Sequence, residues 1–239
     1  ALSHAFTIGV RDWGWLEDSP MRKVSKLKES RGRVRFLEEE ELARLLQACK
    51  ESSSAYLYPV VLIALSTGMR YGEIMHLSWK DVDFGRKRII LHETKNGERR
   101  AVPLAGQAFD ILQSLEKKRR IDTNLIFPKL RSKVDRENGQ VASLISLQKH
   151  EIDKVQKVQK PAQLRSPWIS ALKKAQILDF RFHDLRHCAA SYFAMSGASL
   201  AEIADILGHK TLAMVKRYAH LSDSHKLDVV QRMNKSFLG

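Results

Sequence analysis

Residues 180–191, FRFHDLRHCAAS, hold two histidines four apart, His183 and His187, with Asp184 and Arg186 between them. Two chemistries compete for this stretch. On a helix, residues three and four apart share a face, so His183 and His187 have the spacing of a zinc pair. His183 and Arg186 have the spacing of two donors aimed at one anion. Zinc hydrolases with a His-Glu-x-x-His pattern need a glutamate base. Asp184 is one carbon short of that role, and Arg186 would set a permanent cation beside the metal. The plainer expectation for His187 is a hydrogen bond to the site or the core.

Three other places carry groups suited to the same anion. In STGMRYGEIMHLSW, Arg70 follows a glycine-containing turn at a helix start, where backbone N–H groups favour negative charge. Glu73, three residues on, can hold that arginine, although a surface salt bridge on a capped helix has the same appearance. Lys95 lies at the tip of an expected hairpin, RKRIILHETKNGERRAVPL, where a lysine can serve as a point charge or give up a proton. Lys87 and Arg88 also lie near that hairpin. In SLAEIADILGHKTLAMVKRYAHL, Gly208 suits the left-handed position that ends helices, His209 follows it, and Tyr218 comes nine residues later. This last stretch also reads as a helix-turn-helix DNA reader, a reading that leaves Arg70, Lys95, His183 and Arg186 without a use.

Breakage of a phosphodiester without metal would use them all. Planar guanidinium forks match the non-bridging oxygens, where a phosphoryl transition state gathers charge. A tyrosine phenol, with a pKa near 10, attacks as phenolate if a positive field lowers that value. A lysine or histidine protonates the leaving 5′-oxygen.

The bulk properties agree with a polyanionic partner. The 239 residues hold 41 Lys and Arg against 27 Asp and Glu, a formal charge of +14, and nucleic acid is the commonest partner of such a surface. A basic surface without function is the bland alternative. No apolar run approaches a membrane span, and the first residues lack a signal-peptide pattern. Two cysteines, Cys49 and Cys188, form no disulfide framework, which points to a reducing, cytoplasmic setting.

The elements that must position these groups are mostly helical. ALSHAFTIGVRDW is expected to be the trailing helix of an upstream domain, followed by a basic linker, so that residues 1–32 precede a main domain at 33–239. Helices are expected in FLEEEELARLLQACKES, YLYPVVLIALSTG, from Tyr71 to Leu77, and in GQAFDILQSLEKKR. Further helices are expected at 166–176, 184–196, 199–207, 211–219 and 224–236. With the hairpin this makes a mainly α fold carrying a small antiparallel β-sheet, an α+β class. Residues 141–158 have weak helical spacing.

Taken together, TGMRYGEIMHLSW, HDLRHCAAS and LGHKTLAMVKRYAHL resemble, in order, the signature blocks of the tyrosine recombinase (phage integrase) family, over residues 33–225. The resemblance implies the catalytic-domain fold of that family, and site-specific cutting and rejoining of double-stranded DNA through a 3′-phosphotyrosine, with no cofactor and no metal. It implies Arg70 as the first catalytic arginine with Glu73 as its acidic companion, and Lys95 as general acid. His183 and Arg186 then form the His-x-x-Arg pair, His209 stands in the histidine-or-tryptophan position, and Tyr218 is the nucleophile. The stretch at 131–163 departs from the family pattern as an insertion. The tail, with Leu227, Val230, Met233 and Phe237 on one stripe, is expected to pack on its own domain or to dock on a neighbouring subunit in a tetrameric synapse. A DNA-binding regulator without catalysis is the alternative function.

Overall fold

The computed structural model of the chain describes residues 2–25, 35–92, 99–129 and 160–238. They fall into two units, divided between residues 33 and 34. In the first, helix α1 (Leu2–Arg11) is followed by a 3₁₀ turn at Pro20–Lys23.

The second unit begins with α2 (Glu39–Lys50) and α3 (Leu57–Thr67). Three glutamates crowd the first turn of α2, where the helix dipole favours them. Arg35 holds Glu41 with two hydrogen bonds, at 2.6 and 3.2 Å. Helix α2 buries one stripe, Leu45, Ala48 and Cys49. Helix α3 is apolar all round, as a central helix must be, with Val60, Val61, Leu62, Ile63 and Ala64 buried. It ends where Gly68 takes a left-handed φ of 63°. A Cβ there would also stand 2.1 Å from Leu207 Cδ2, so a side chain has no room.

After the one-turn helix α4 (Tyr71–Met75) comes a three-stranded antiparallel sheet: β1 (Val82–Asp83), β2 (Arg88–Leu91) and β3 (Arg100–Pro103), in that order. Ile89 pairs with Val102 and Leu91 with Arg100. The sequence marked the β2–β3 pair; β1 was missed because two residues show no alternation. Helix α5 (Gly106–Lys117) follows, and LIFP makes isolated bridges, Ser78 to Leu125 and Pro128 to Pro161. The hairpin tip and most of the expected insertion, including residues 141–158, lie outside the described residues.

The remaining helices are α6 (Arg165–Lys174), α7 (Asp184–Met195), α8 (Leu200–Leu207) and α9 (Asp223–Phe237). Helix α7 packs against α3 and buries Leu185, Cys188, Ala189 and Ala190. Cys188 behaves as a small core residue, its thiol pushed up to about 11 by burial.

The helix expected over 211–219 is absent. Two 3₁₀ turns, Leu212–Met214 and Lys216–Ser222, stand in its place. The apolar spacing explains this: Val215, Tyr218 and Leu221 recur every three residues, the period of a 3₁₀ helix. Val215 and Tyr218 are buried in a second core with Ala190, Ala194, Ile203 and Leu207, and Leu221 packs against it. The segment therefore offers no exposed recognition helix, and the helix-turn-helix reading loses its second element. On α9 the stripe does not pack on its own domain: Leu227, Val230, Met233 and Phe237 are exposed.

Candidate active site

Two turns of the same construction lie beside α7. Helix α3 ends at Gly68 and α8 at Gly208, both left-handed, with φ of 63° and 67°. Arg70 comes two residues after the first glycine, His209 directly after the second. Arg186, 4% exposed, ties the turns together. Its Nη1 donates to the Gly68 carbonyl at 2.7 Å and its Nη2 to the Leu207 carbonyl at 2.6 Å. One guanidinium thus fixes the two loops that present Arg70 and His209.

Arg70 is held from its other side by Glu73. One carboxylate oxygen accepts Arg70 Nη1 at 2.7 Å, the other its backbone N–H at 2.8 Å. Glu73 thus holds the arginine as its position three residues on allowed, and it caps the Arg70 N–H as well. The Arg70 side chain remains 24% exposed. Glu73 also accepts Arg100 Nη2 at 3.0 Å. Arg100 was not read from the sequence as a site residue.

His183 stands at the start of α7 and is exposed, one turn from buried Arg186. Partial desolvation of its ring, then the charge of Arg186, holds its pKa below the ordinary histidine value. His209 is driven further, to about 4, by burial and by the positive charges of Arg186, Arg70 and Arg100. Its Nδ1 is buried without a hydrogen-bond partner among the described residues. Both rings are therefore neutral at pH 7. Arg186 is itself pressed down to about 10 by burial beside Arg70 and Arg100, and keeps its charge.

Tyr218, 2% exposed, shares a 2.5 Å hydrogen bond with His187 Nδ1. Its phenol does not have the lowered pKa expected of a phenolate nucleophile. Burial raises it and outweighs Arg217 and Arg186, which pull the other way. The ring of His187 lies edge-on to that of His183, centroids 5.5 Å apart. Among the described residues no three His, Cys, Asp or Glu side chains gather where they could hold a metal ion.

The structure thus brings together Arg70, Glu73, His183, Arg186, His209 and Tyr218, with Arg186 in electrostatic reach of both histidines and the tyrosine. Lys95 lies outside the described residues. Its two basic neighbours are engaged elsewhere: Lys87 Nζ sits 5.7 Å from the Phe109 ring centroid, and Arg88 Nε bonds Asp83 at 3.4 Å. No described helix is long and apolar enough to cross a membrane.

Comparison with known proteins yields one consistent result. Residues 35–225 match the model of the phage integrase family. The integrase of Salmonella phage P22 is 31% identical over 231 residues, covering 95% of this chain and 54% of that protein. A shufflon-specific DNA recombinase of Escherichia coli is 34% identical over 221 residues, covering 92% of this chain and 49% of that one. The chain thus spans about half the length of these relatives. Among solved structures, the catalytic domain of bacteriophage HP1 integrase superposes with a TM-score of 0.58 at 26% identity, covering 87% of this chain and 99% of that one.

Proposed function

The chain belongs to the phage integrase family, and from that premise we propose that it cuts and rejoins double-stranded DNA at specific sites through a covalent 3′-phosphotyrosine, without a metal ion. The observation that carries this reading is the pair of hydrogen bonds that Arg186 donates to the carbonyls of Gly68 and Leu207. It sets two arginines and a neutral histidine from three distant segments around one place, with a tyrosine in the same field.

In this reading a DNA phosphate sits against Arg70, His183, Arg186 and His209. Arg70 and Arg186 supply permanent charge to the non-bridging oxygens, the service a divalent ion gives elsewhere. His183 and His209, neutral, donate hydrogen bonds. The Tyr218 phenol passes its proton to its bonding partner His187, its oxygen attacks phosphorus, the bond to the 5′-oxygen breaks, and that oxygen takes a proton from Lys95. Attack by a 5′-hydroxyl of another strand reverses these steps and releases Tyr218. Because the phenol is buried and bonded to His187, it leaves that seat to react.

The partners follow from the same chemistry. DNA answers the +14 charge. Four protomers join two duplexes, the exposed stripe on α9 docking on a neighbouring subunit. Residues 1–32 are the end of a DNA-clamping domain joined by a linker to the catalytic domain, and the stretch at 131–163 is an insertion in it. The site of action is the cytoplasm.

The test is covalent trapping. Nicked duplexes with randomised flanks are incubated with the chain in excess EDTA and run on denaturing gels. A protein–DNA adduct is expected from wild type and none from Tyr218→Phe. An adduct that forms equally well with Tyr218→Phe, or only when a divalent ion is supplied, contradicts the reading.

A further inference from the structure

Arg100, the first residue of β3, is buried to the same extent as the carboxylate it meets: each side chain is 10% exposed. Its Nη2 donates to Glu73 Oε2 at 3.0 Å, and its Nη1 to the Leu207 carbonyl at 2.5 Å. Arg186 uses that same carbonyl. The stem passes beneath Gly208, where a Cβ would lie 2.3 Å from Arg100 Nη1 and 2.9 Å from its Cδ. Arg70, Glu73, Arg100, the Leu207 carbonyl and Arg186 thus form one continuous chain of hydrogen bonds.

Stability alone does not account for this arrangement. Three guanidinium groups stand in the field of one carboxylate, which bonds only Arg70 and Arg100, so these four groups hold two positive charges in excess. Arg100 Nε is buried with no hydrogen-bond partner among the described residues, a costly condition. An apolar side chain of similar length would fill the space without that cost. What such a side chain lacks is a fork that reaches both Glu73 and Leu207.

We propose that Arg100 is a positioning residue for strand transfer. Through Glu73 it sets the direction of the Arg70 guanidinium, and through the Leu207 carbonyl it fixes the turn that carries His209 against Arg186. This rests on the strand-transfer reading above. It touches neither DNA nor the reacting atoms; it holds two groups that do. A lysine keeps the charge but, as a single point, cannot span two acceptors in a fixed geometry.

The experiment compares wild type, Arg100→Met and Arg100→Lys as the whole chain, on the same nicked duplexes. Adduct formation is followed in single turnover at saturating protein, and DNA affinity by anisotropy. Both variants are expected to lose at least about 100-fold in adduct rate, the scale of a 1 Å misplacement, while affinity changes less than about 3-fold. In Arg100→Met with Glu73→Gln the losses are expected not to multiply, because both changes cut the same chain. If Arg100→Met does not fold, Arg100→Lys carries the comparison. An adduct rate near that of wild type in a folded variant, or a loss matched by lost affinity, overturns the proposal and leaves the strand-transfer reading intact. No adduct from wild type removes both.

Discussion

The Tyr218 hydroxyl and His187 Nδ1 lie 2.5 Å apart, and this bond seats the proposed nucleophile inside the second core. A buried hydroxyl deprived of its partner costs about 1–3 kcal/mol. Tyr218→Phe and His187→Ala are each expected to destabilise the chain by about that amount. Together they should cost less than the sum, with a coupling on the order of 1 kcal/mol in a double-mutant cycle by urea denaturation. Simple additivity would show that the bond holds nothing in place.

Arg186→Ala removes both donors that tie Gly68 to Leu207: the Gly68 carbonyl loses its donor, and the Leu207 carbonyl keeps only Arg100. A loss of about 3 kcal/mol is expected, as for other broken buried polar networks. Arg186→Lys keeps a charge but only one point of contact. It should recover part of the stability and almost none of the adduct formation. Equal recovery of both would mean that charge, not the two-pronged geometry, is what the site requires.

Acid should weaken the fold in a window above that of the carboxylates. His209 has its pKa at about 4 in the folded chain against 6.5 ordinarily, and those of His183 and His187 are also lowered. Below pH 6.5 the unfolded chain binds protons that the folded chain refuses, so stability is full above 6.5 and falls as pH drops towards 4. His209→Gln is expected to flatten this slope by roughly 2 kcal/mol across the window. Glu73 and Glu41, lowered from 4.5, and Asp83, lowered from 3.8, act in the same sense, since the unfolded chain again binds protons more readily, but their losses begin only near those lower values. An unchanged slope in His209→Gln would contradict the buried neutral ring.

The exposed residues of α9 predict a division of labour. Deleting residues 226–239 leaves the described site and both cores in place. Adduct formation on nicked duplexes is expected to persist, while DNA-dependent assembly in analytical ultracentrifugation is lost. Assembly that survives the deletion would exclude the tail as the contact.

The grouping of Arg70, His183, Arg186 and His209 in the candidate site was legible because each stands at a turn or helix end that its neighbours announce. Gly68 and Gly208 mark two helix ends, and Arg70 and His209 follow them at once. His183 and Arg186 share a turn. Arg100 was not legible: in RRAVPL it reads as an exposed charge opening a strand, and only the fold sets it against Glu73 and Leu207, partners far apart in the chain. The burial of Tyr218 was hidden in a similar way. Lys216, Arg217 and His220 make the segment look like a polar helix, whereas the three-residue spacing of Val215, Tyr218 and Leu221 turns the tyrosine inward. The sheet was read as two strands because a two-residue strand leaves no periodic trace.

The central claim is that Tyr218 becomes covalently joined to a 3′-phosphate in DNA. The most direct measurement is mass spectrometry of the adduct after nuclease and protease digestion. The predicted result is one nucleotide-bearing peptide, modified at Tyr218, with a free 5′-hydroxyl on the released strand. A nucleotide on any other residue, or a 5′-phosphate linkage, would contradict it.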